Sequence, residues 1–124
     1  MKRIAVIEDN PDNRLLVRAI LDGRYELTEF DSGIKALPAI ERDPPDLVLL
    51  DISLPEMDGA EVLQRIRAMA GLRDLPVIAL TAHAMVGDRE RFLEAGFDHY
   101  IAKPILDADK LTNAIEALLG ETAR

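Results

Sequence analysis

The segment Leu47–Gly59 constrains the fold of this 124-residue chain more than any other stretch. Four consecutive apolar residues, Leu47–Leu50, end at a single carboxylate, Asp51, and a Leu-Pro pair and an Asp-Gly pair then turn the chain. An apolar run without alternation predicts a strand buried on both faces. A carboxylate at the carboxyl end of such a strand lies where open α/β sheets bind their ligands. On this segment alone a second interpretation stays open, in which Asp51 only caps the next helix.

Composition indicates one globular domain over residues 1–124, because 48% of the residues are hydrophobic and 31% are charged. The chain has no cysteine, which excludes disulfides and thiolate metal sites. No apolar run approaches the roughly 18 residues that span a bilayer, and the first residues lack a signal-peptide pattern. We therefore expect a cytoplasmic protein without membrane partners. A net charge of −8 argues against nucleic-acid binding, which depends on Lys and Arg.

Apolar runs and amphipathic segments alternate along the chain. Besides the central run, strands are predicted at Ile4–Ile7, Leu27–Phe30, Val77–Leu80 and Tyr100–Ala102. Five repeats of strand and helix predict an α/β fold with a parallel sheet covered on both faces. Apolar residues at helical spacing predict the helices. The first carries Leu15, Leu16, Ala19 and Ile20; the second carries Ile34, Leu37 and Ile40, and Pro38 should shorten or kink it; the third carries Val62, Leu63, Ile66, Met69 and Ala70 and ends at Gly71. The fourth extends over residues 82–96, and the fifth carries Leu111, Ile115, Leu118 and Leu119.

Polar side chains follow four of these strands and would share one edge of a parallel sheet. Glu8 and Asp9 follow the first strand, Asp51 the third, Thr81 the fourth and Lys103 the fifth. Three neighbouring carboxylates repel one another, and a hard cation such as Mg²⁺ relieves that repulsion with oxygen ligands. An ammonium and a hydroxyl beside them suit a phosphoryl group carried by a carboxylate. Singly, each residue has a structural explanation as a cap, turn former or solvated charge; their convergence favours a site with Asp51 as nucleophile.

These motifs, in this order and spacing, resemble the receiver domain of bacterial two-component response regulators. The resemblance extends from Ile4 to Leu119. It implies a flavodoxin-like (βα)5 fold, a three-layer sandwich whose five-stranded parallel sheet has the order 2-1-3-4-5. The residues that carry it are Glu8-Asp9-Asn10, Asp51 within DISLPEMDG, Thr81-Ala82 and Lys103-Pro104.

The resemblance implies that Asp51 accepts a phosphoryl group from a sensor histidine kinase or a histidine phosphotransfer protein. The protein would then be a phosphorelay switch, not an enzyme that turns over a separate substrate. Mg²⁺ would be held by Asp9, by Asp51 and by the backbone carbonyl of Ser53, with Glu8 acting mostly through water. Lys103 would contact the phosphoryl group, and its peptide bond to the next residue is commonly cis in the family.

The same resemblance implies how the signal leaves the site. Thr81 would move toward the phosphoryl oxygen, and Tyr100 would turn inward to fill the vacated space. A downstream target protein would bind the face formed by the fourth helix, fifth strand and fifth helix, and no DNA-binding output is expected. A structural alternative makes Tyr100 a half-buried core aromatic. Ser53 and His83 would tune the rate of phosphoryl loss. An exposed loop histidine is a better explanation of His83 than a metal ligand, because Mg²⁺ prefers oxygen.

Two other classes of protein compete with this interpretation. A small Mg²⁺-dependent phosphatase with an aspartyl-phosphate intermediate would need a second Asp where Ser53 stands, and room for a substrate cap. A flavodoxin-like flavin binder would need a phosphate loop rich in glycine and hydroxyls after the first strand. Glu8 and Asp9 occupy that position and would repel a phosphate.

Overall fold

Strands and helices alternate in this computed structural model, which describes residues 1–82, 88–103, 105 and 107–120. The strands pair in parallel in the order β2-β1-β3-β4-β5, so the predicted fold and strand order are confirmed. The strands are β1 (Arg3–Ile7), β2 (Glu26–Phe30), β3 (Leu47–Asp51), β4 (Val77–Thr81) and β5 (His99–Ala102). The helices are α1 (Pro11–Leu21), α2 (Gly33–Arg42), α3 (Gly59–Ala68), α4 (Asp88–Ala95) and α5 (Ala108–Leu119).

The sheet separates two apolar clusters, because successive side chains of a strand point to opposite faces. Val48 and Leu50 join the cluster covered by α2, α3 and α4. Leu47 and Leu49 join the cluster covered by α1 and α5. Every residue of β3 and β4 is buried, as the continuous apolar runs predict. Because helices cover both faces of the sheet, polar side chains of the central strands can meet at the carboxyl ends of these strands.

Some residues of the predicted apolar stripes in the first two helices are exposed, although Leu37 and Ile40 of α2 are buried as predicted. α1 buries Val17 and Leu21, whereas Leu15 is 57% exposed and Ala19 is also exposed. In α2, Ile34 is 49% exposed. The predicted stripes were therefore wrong at these positions. When apolar residues occupy more than one helical face, spacing alone does not determine which face meets the sheet.

Helix ends also differ from the prediction in two places. α3 ends at Ala68 and not at Gly71, because the N–H of Met69 bonds the carbonyl of Ile66 at 3.1 Å and leaves the helical path. The predicted fourth helix began at Ala82, which lies in a bend, while α4 is described from Asp88. None of the described helices has the length and apolar character that crossing a bilayer requires.

The second helix is not shortened by its internal proline, because it has as many residues as α3. α2 has 10 residues and continues through Pro38, which is exposed. Ser32 caps its start by accepting a hydrogen bond from the N–H of Lys35. Asn10 caps α1 in the same way, with Pro11 in the first turn where a missing N–H costs nothing. These local signals fix where each helix begins, and hence where the preceding strand ends.

Candidate functional site

Acidic and basic side chains meet at the carboxyl edge of the sheet. Glu8 follows β1, Asp51 ends β3 and Lys103 follows β5. The Lys103 ammonium bridges the two carboxylates: its Nζ lies 3.2 Å from Oε1 of Glu8 and 3.0 Å from Oδ1 of Asp51. Both carboxylate residues are buried, at 0% and 1% exposure. Charged groups are costly to bury unless they are paired, so the Lys103 ammonium is what stabilises these two buried carboxylates.

The loop after β3 fixes the orientation of Asp51. The N–H of Ser53 donates to Oδ1 of Asp51 at 3.0 Å. The cap of α3 is a different residue, Asp58, whose Oδ1 accepts from the N–H of Glu61 at 3.0 Å. The interpretation of Asp51 as a helix cap is therefore wrong. Its carboxylate is directed to the sheet edge and to Lys103.

Gly59 lets the main chain of α3 approach this carboxylate residue closely. Its N–H donates to the carbonyl of Ile52 at 3.0 Å. A Cβ at this position would lie 2.6 Å from the carbonyl oxygen of Asp51 and 2.8 Å from Cα of Ile52. Both of these atoms belong to the main chain, so a side chain here would displace the end of β3. The glycine of the Asp-Gly pair is thus required by packing.

Glu8 is surrounded by donors from the first turn of α1. The N–H of Asn10 donates to its Oε2 at 3.2 Å, and Nδ2 of Asn13 donates to its Oε1 at 3.2 Å. The guanidinium of Arg14 donates to the main-chain carbonyl of Glu8 at 2.7 Å. Asn13 and Arg14 were not predicted as site residues from the sequence. The available signal was their position in the first turn of a helix that directly follows an acidic pair.

Crowding shifts the proton affinities of the three central groups. Burial, together with a hydrogen bond to Asp51, raises the pKa of Glu8 to about 7. Burial also opposes ionisation of Asp51, but hydrogen bonds from Glu8, the Ser53 N–H and Lys103 outweigh it and lower the pKa of Asp51. Burial disfavours the Lys103 ammonium, yet its hydrogen bond to Asp51 and the charge of Glu8 raise its pKa. Near neutral pH Asp51 is therefore ionised, whereas Glu8 is only partly ionised.

The same carboxylates fit a magnesium ion. One carboxylate oxygen from each of Glu8, Asp9 and Asp51 lies within 4.8 Å of the others. Asp9 is exposed, so the cluster opens to water on that side. Mg²⁺ takes oxygen ligands, needs few carboxylates and keeps several waters, which this half-open set of oxygens allows. Its charge would also relieve the repulsion between the buried carboxylates, and the donor set therefore suits this ion.

The raised pKa of Glu8 predicts a pH dependence of stability. A carboxyl group that binds its proton more tightly in the folded state stabilises the fold below its unfolded pKa, near 4.5, and this stabilisation is lost as the pH rises through about 7. Without metal, the free energy of unfolding should fall by about 1–3 kcal/mol between pH 5 and pH 8. The lowered pKa of Asp51 acts below that window.

Urea denaturation in EDTA at several pH values tests this prediction. The Glu8→Gln variant has no group that titrates there, so its stability should be flat over the same window. Saturating Mg²⁺ should stabilise the wild type more at pH 8 than at pH 5, because the metal competes with the proton. A metal-free wild type whose stability rises toward pH 8 would contradict the assignment.

Gly59 and Gly33 provide a matched pair of substitutions, since each begins a helix. We expect Gly59→Ala to lower the free energy of unfolding by about 1–3 kcal/mol through overpacking, and to weaken Mg²⁺ binding because the main chain of Asp51 shifts. Gly33→Ala should also destabilise, since its Cβ would overlap Cγ2 of Val62. It should leave Mg²⁺ affinity unchanged, because the contacted atom belongs to a side chain of α3 and not to the main chain of Asp51. Equal losses of affinity in both variants would refute the distinction.

Thr81 and Tyr100 lie beside the site on neighbouring strands. Thr81 is buried at the end of β4, and its carbonyl accepts the N–H of Lys103 at 2.7 Å. Tyr100 is half-buried, and its ring centroid lies 5.6 Å from that of Phe92 in α4. The main chain thus links Thr81 to Lys103, and the aromatic contact links Tyr100 to α4. His83 and the residue after Lys103 lie outside the described residues.

Comparison with known proteins identifies relatives over nearly the whole chain. The family model described as response regulator receiver domain matches residues 4–116. The polar-differentiation response regulator DivK of Brucella ovis is 40% identical over 121 residues, which cover 97% of this chain and 98% of DivK. The signal transduction histidine-protein kinase BarA of Shigella flexneri is 40% identical over 113 residues, or 90% of this chain, but these residues are only 12% of BarA.

A solved structure with the same fold contains a metal ion. The receiver domain of a sensor histidine kinase from Pseudomonas aeruginosa PAO1 has magnesium coordinated in its active-site cleft. It is 38% identical, with a TM-score of 0.86 over 97% of this chain and 98% of that domain. A putative response regulator from Chloroflexus aurantiacus is 27% identical and superimposes with a TM-score of 0.89.

Proposed function

This chain belongs to the response regulator receiver domain family, and on that premise we propose that Asp51 accepts a phosphoryl group from a phosphohistidine. The donor would be a sensor histidine kinase or a histidine phosphotransfer protein. Glu8, Asp9, Asp51 and the backbone carbonyl of Ser53 would hold Mg²⁺, with Glu8 acting mostly through water. The protein would act as a switch, whose product is its own phosphorylated state.

The observation that supports this proposal most strongly is the position of Lys103. Its ammonium lies within 3.2 Å of two buried carboxylates and reaches Asp51 at 3.0 Å. A phosphoryl group on Asp51 would bring additional negative charge to this place, and a compact ammonium already held there can bind one of its oxygens. The chain therefore provides a nucleophile, a cation and a set of metal ligands at a single point.

The proposed transfer step balances without further reactants. A carboxylate oxygen of Asp51 attacks the phosphorus atom, a P–O bond forms, and the P–N bond of the phosphohistidine breaks. The electron pair of that bond stays on the imidazole nitrogen, which takes a proton in water. Lys103 binds an equatorial phosphoryl oxygen and neutralises part of its charge. Bound magnesium would neutralise more of it and help to align the phosphoryl group.

A small phosphodonor tests the proposal without a cognate kinase. Incubation with phosphoramidate, followed by electrophoresis in a gel that retards phosphoproteins, should show one slower species in Mg²⁺ and none in EDTA. That species should revert within minutes to hours after the donor is removed. Continuous release of phosphate at many turnovers per second would contradict the switch and would favour a phosphatase. No modification at any magnesium concentration would refute the proposal.

The downstream part of the proposed mechanism concerns Thr81 and Tyr100. Thr81 would bind a phosphoryl oxygen and Tyr100 would turn inward, which would change the face formed by α4, β5 and α5. The contact between the rings of Tyr100 and Phe92 supports this route, because rotation of one ring removes packing from the other. A downstream target protein would recognise the changed face. Ser53 and His83 would set how long the phosphoryl group lasts.

We expect Tyr100→Ala to separate phosphorylation from the response. Beryllofluoride with Mg²⁺ stands in for the phosphoryl group, so amide chemical shifts report how far the change spreads. In the wild type the shifts should extend from the site into α4 and α5, whereas in Tyr100→Ala they should stay near Asp51. Tyr100→Phe retains the ring and should behave like the wild type. Shifts of equal extent in Tyr100→Ala would show that the tyrosine does not couple the two regions.

A further inference from the structure

The side chain of Asn13, in α1, contacts Glu8 of the acidic cluster directly. Its Nδ2 lies 3.2 Å from Oε1 of Glu8, the same oxygen that the Lys103 ammonium reaches at 3.2 Å. The other oxygen, Oε2, accepts the N–H of Asn10 at 3.2 Å. With both oxygens held and 0% exposure, the Glu8 carboxyl group has no freedom to reorient without breaking one of these contacts.

The neighbouring Arg14 holds the main chain of the same acidic residue. Its guanidinium donates to the carbonyl of Glu8 at 2.7 Å, and its Nε lies 3.6 Å from the carboxylate of Glu29 on β2. Arg14 therefore holds the main chain of Glu8 in place, and Asn13 orients its carboxyl group. The two adjacent residues divide the support of the main chain from that of the side chain.

A carboxamide is the group that this position requires. A carboxylate acceptor determines that the amide nitrogen of Asn13, and not its oxygen, faces Glu8. An aspartate at the same place would set a further carboxylate against Glu8. An apolar side chain of equal size would donate nothing to a buried oxygen. Hydrogen bonds to a charged acceptor are the stronger ones, so this single contact has a large effect on orientation.

We propose that Asn13 is a positioning residue of the magnesium centre, one that orients Glu8 beside Asp51 without touching the metal. This inference rests on the proposed function, because it presumes that the acidic cluster binds Mg²⁺. Partners that orient metal-binding carboxylates commonly contribute tenfold or more to affinity. Asn13→Leu removes the donor at nearly constant volume and should weaken Mg²⁺ binding about tenfold.

Two-dimensional NMR titration with Mg²⁺ measures these affinities on the full chain at fixed pH. Asn13→Gln keeps an amide donor and should restore affinity to within about threefold of the wild type. The control is Asn113→Leu, the same substitution at an exposed position of α5, which should leave affinity unchanged. Thermal unfolding in EDTA should show that all three variants are folded. If Asn13→Leu does not fold, Asn13→Ala takes its place in every comparison.

A double-mutant cycle with Glu8→Gln separates positioning from a general structural effect. If Asn13 acts through the Glu8 carboxylate, Asn13→Leu should change affinity less than about twofold once that carboxylate is an amide. An equal loss of affinity in both backgrounds would overturn the inference, as would an unchanged affinity of Asn13→Leu in the wild-type background. A wild type without any Mg²⁺ affinity would instead refute the proposed metal site, and the two failures are therefore distinguishable.

Discussion

Replacing Lys103 by methionine should slow phosphoryl transfer to Asp51 by about 100- to 1,000-fold. Removing one fixed hydrogen-bond donor from a developing negative charge usually slows a reaction by about this factor. Methionine has a similar length and no charge, so the volume of the site is preserved. Rates of phosphorylation by phosphoramidate at saturating Mg²⁺, followed over time by mass spectrometry, measure the effect.

The control for this substitution is Lys110→Met, at an exposed lysine in the first turn of α5. It should leave the rate unchanged, because no described carboxylate pairs with its ammonium and the variant loses one surface charge. Mg²⁺ should still bind to Lys103→Met at least as tightly as to the wild type, since removal of the ammonium leaves the carboxylates without their internal cation. A rate within threefold of the wild type would refute the role given to Lys103.

Asp51→Asn should abolish phosphorylation at all donor concentrations. An amide oxygen is a poor nucleophile, and no described neighbour replaces Asp51 at the end of β3. The substitution also removes one of two opposed buried carboxylates, so the pKa of Glu8 should fall and the metal-free protein should become less sensitive to pH near 7. Retention of stability together with complete loss of phosphorylation is the expected combination, because groups arranged for function often oppose stability.

The control for this substitution is Asp74→Asn, an exposed loop aspartate, which should be phosphorylated at the wild-type rate. Phosphorylation is compared by intact-protein mass spectrometry after exposure to acetyl phosphate with Mg²⁺. Circular dichroism of both variants checks the fold. Residual modification of Asp51→Asn at a tenth of the wild-type level or more would place the acceptor elsewhere.

The layer order and the edge of the sheet that carries the site were predictable from the sequence. Leu47–Leu50 and Val77–Leu80 are too uniformly apolar for any surface strand, and burial on both faces forces a parallel sheet covered by helices. Once the strands are parallel, Glu8, Asp51 and Lys103 must share an edge. Their convergence was therefore a consequence of topology, and the structure brings all three within hydrogen-bonding distance.

Side-chain geometry within the site was not predictable in the same way. The sequence identified Glu8 as acidic but did not show that it is completely buried, or that Asn13 and Arg14 hold it from two sides. Such contacts depend on how α1 is rotated about its axis. The same uncertainty made the predicted inner face of α1 wrong at Leu15. Capping residues such as Asn10 and Ser32 indicate where a helix begins, while packing against the sheet decides which side chains reach the site.

The position of Gly59 shows another limit of prediction from the sequence. An Asp-Gly pair after a strand predicts a turn, and the structure instead shows Asp58 as a helix cap and Gly59 as the first helical residue. The reason for glycine is the 2.6 Å that a Cβ would leave to the carbonyl of Asp51. A distance between two main-chain segments can be read from coordinates but leaves no local mark in the sequence.

The most direct test of the account is to locate the phosphoryl group chemically. Borohydride reduces an aspartyl phosphate to homoserine and leaves phosphoesters and phosphohistidine without that change. Wild-type protein phosphorylated by acetyl phosphate in Mg²⁺, then reduced and digested, should carry homoserine at position 51 and at no other aspartate, and the sample prepared in EDTA should carry none. Homoserine at another position, or a stable phosphorylated peptide without homoserine at position 51, would contradict the assignment of Asp51 as acceptor.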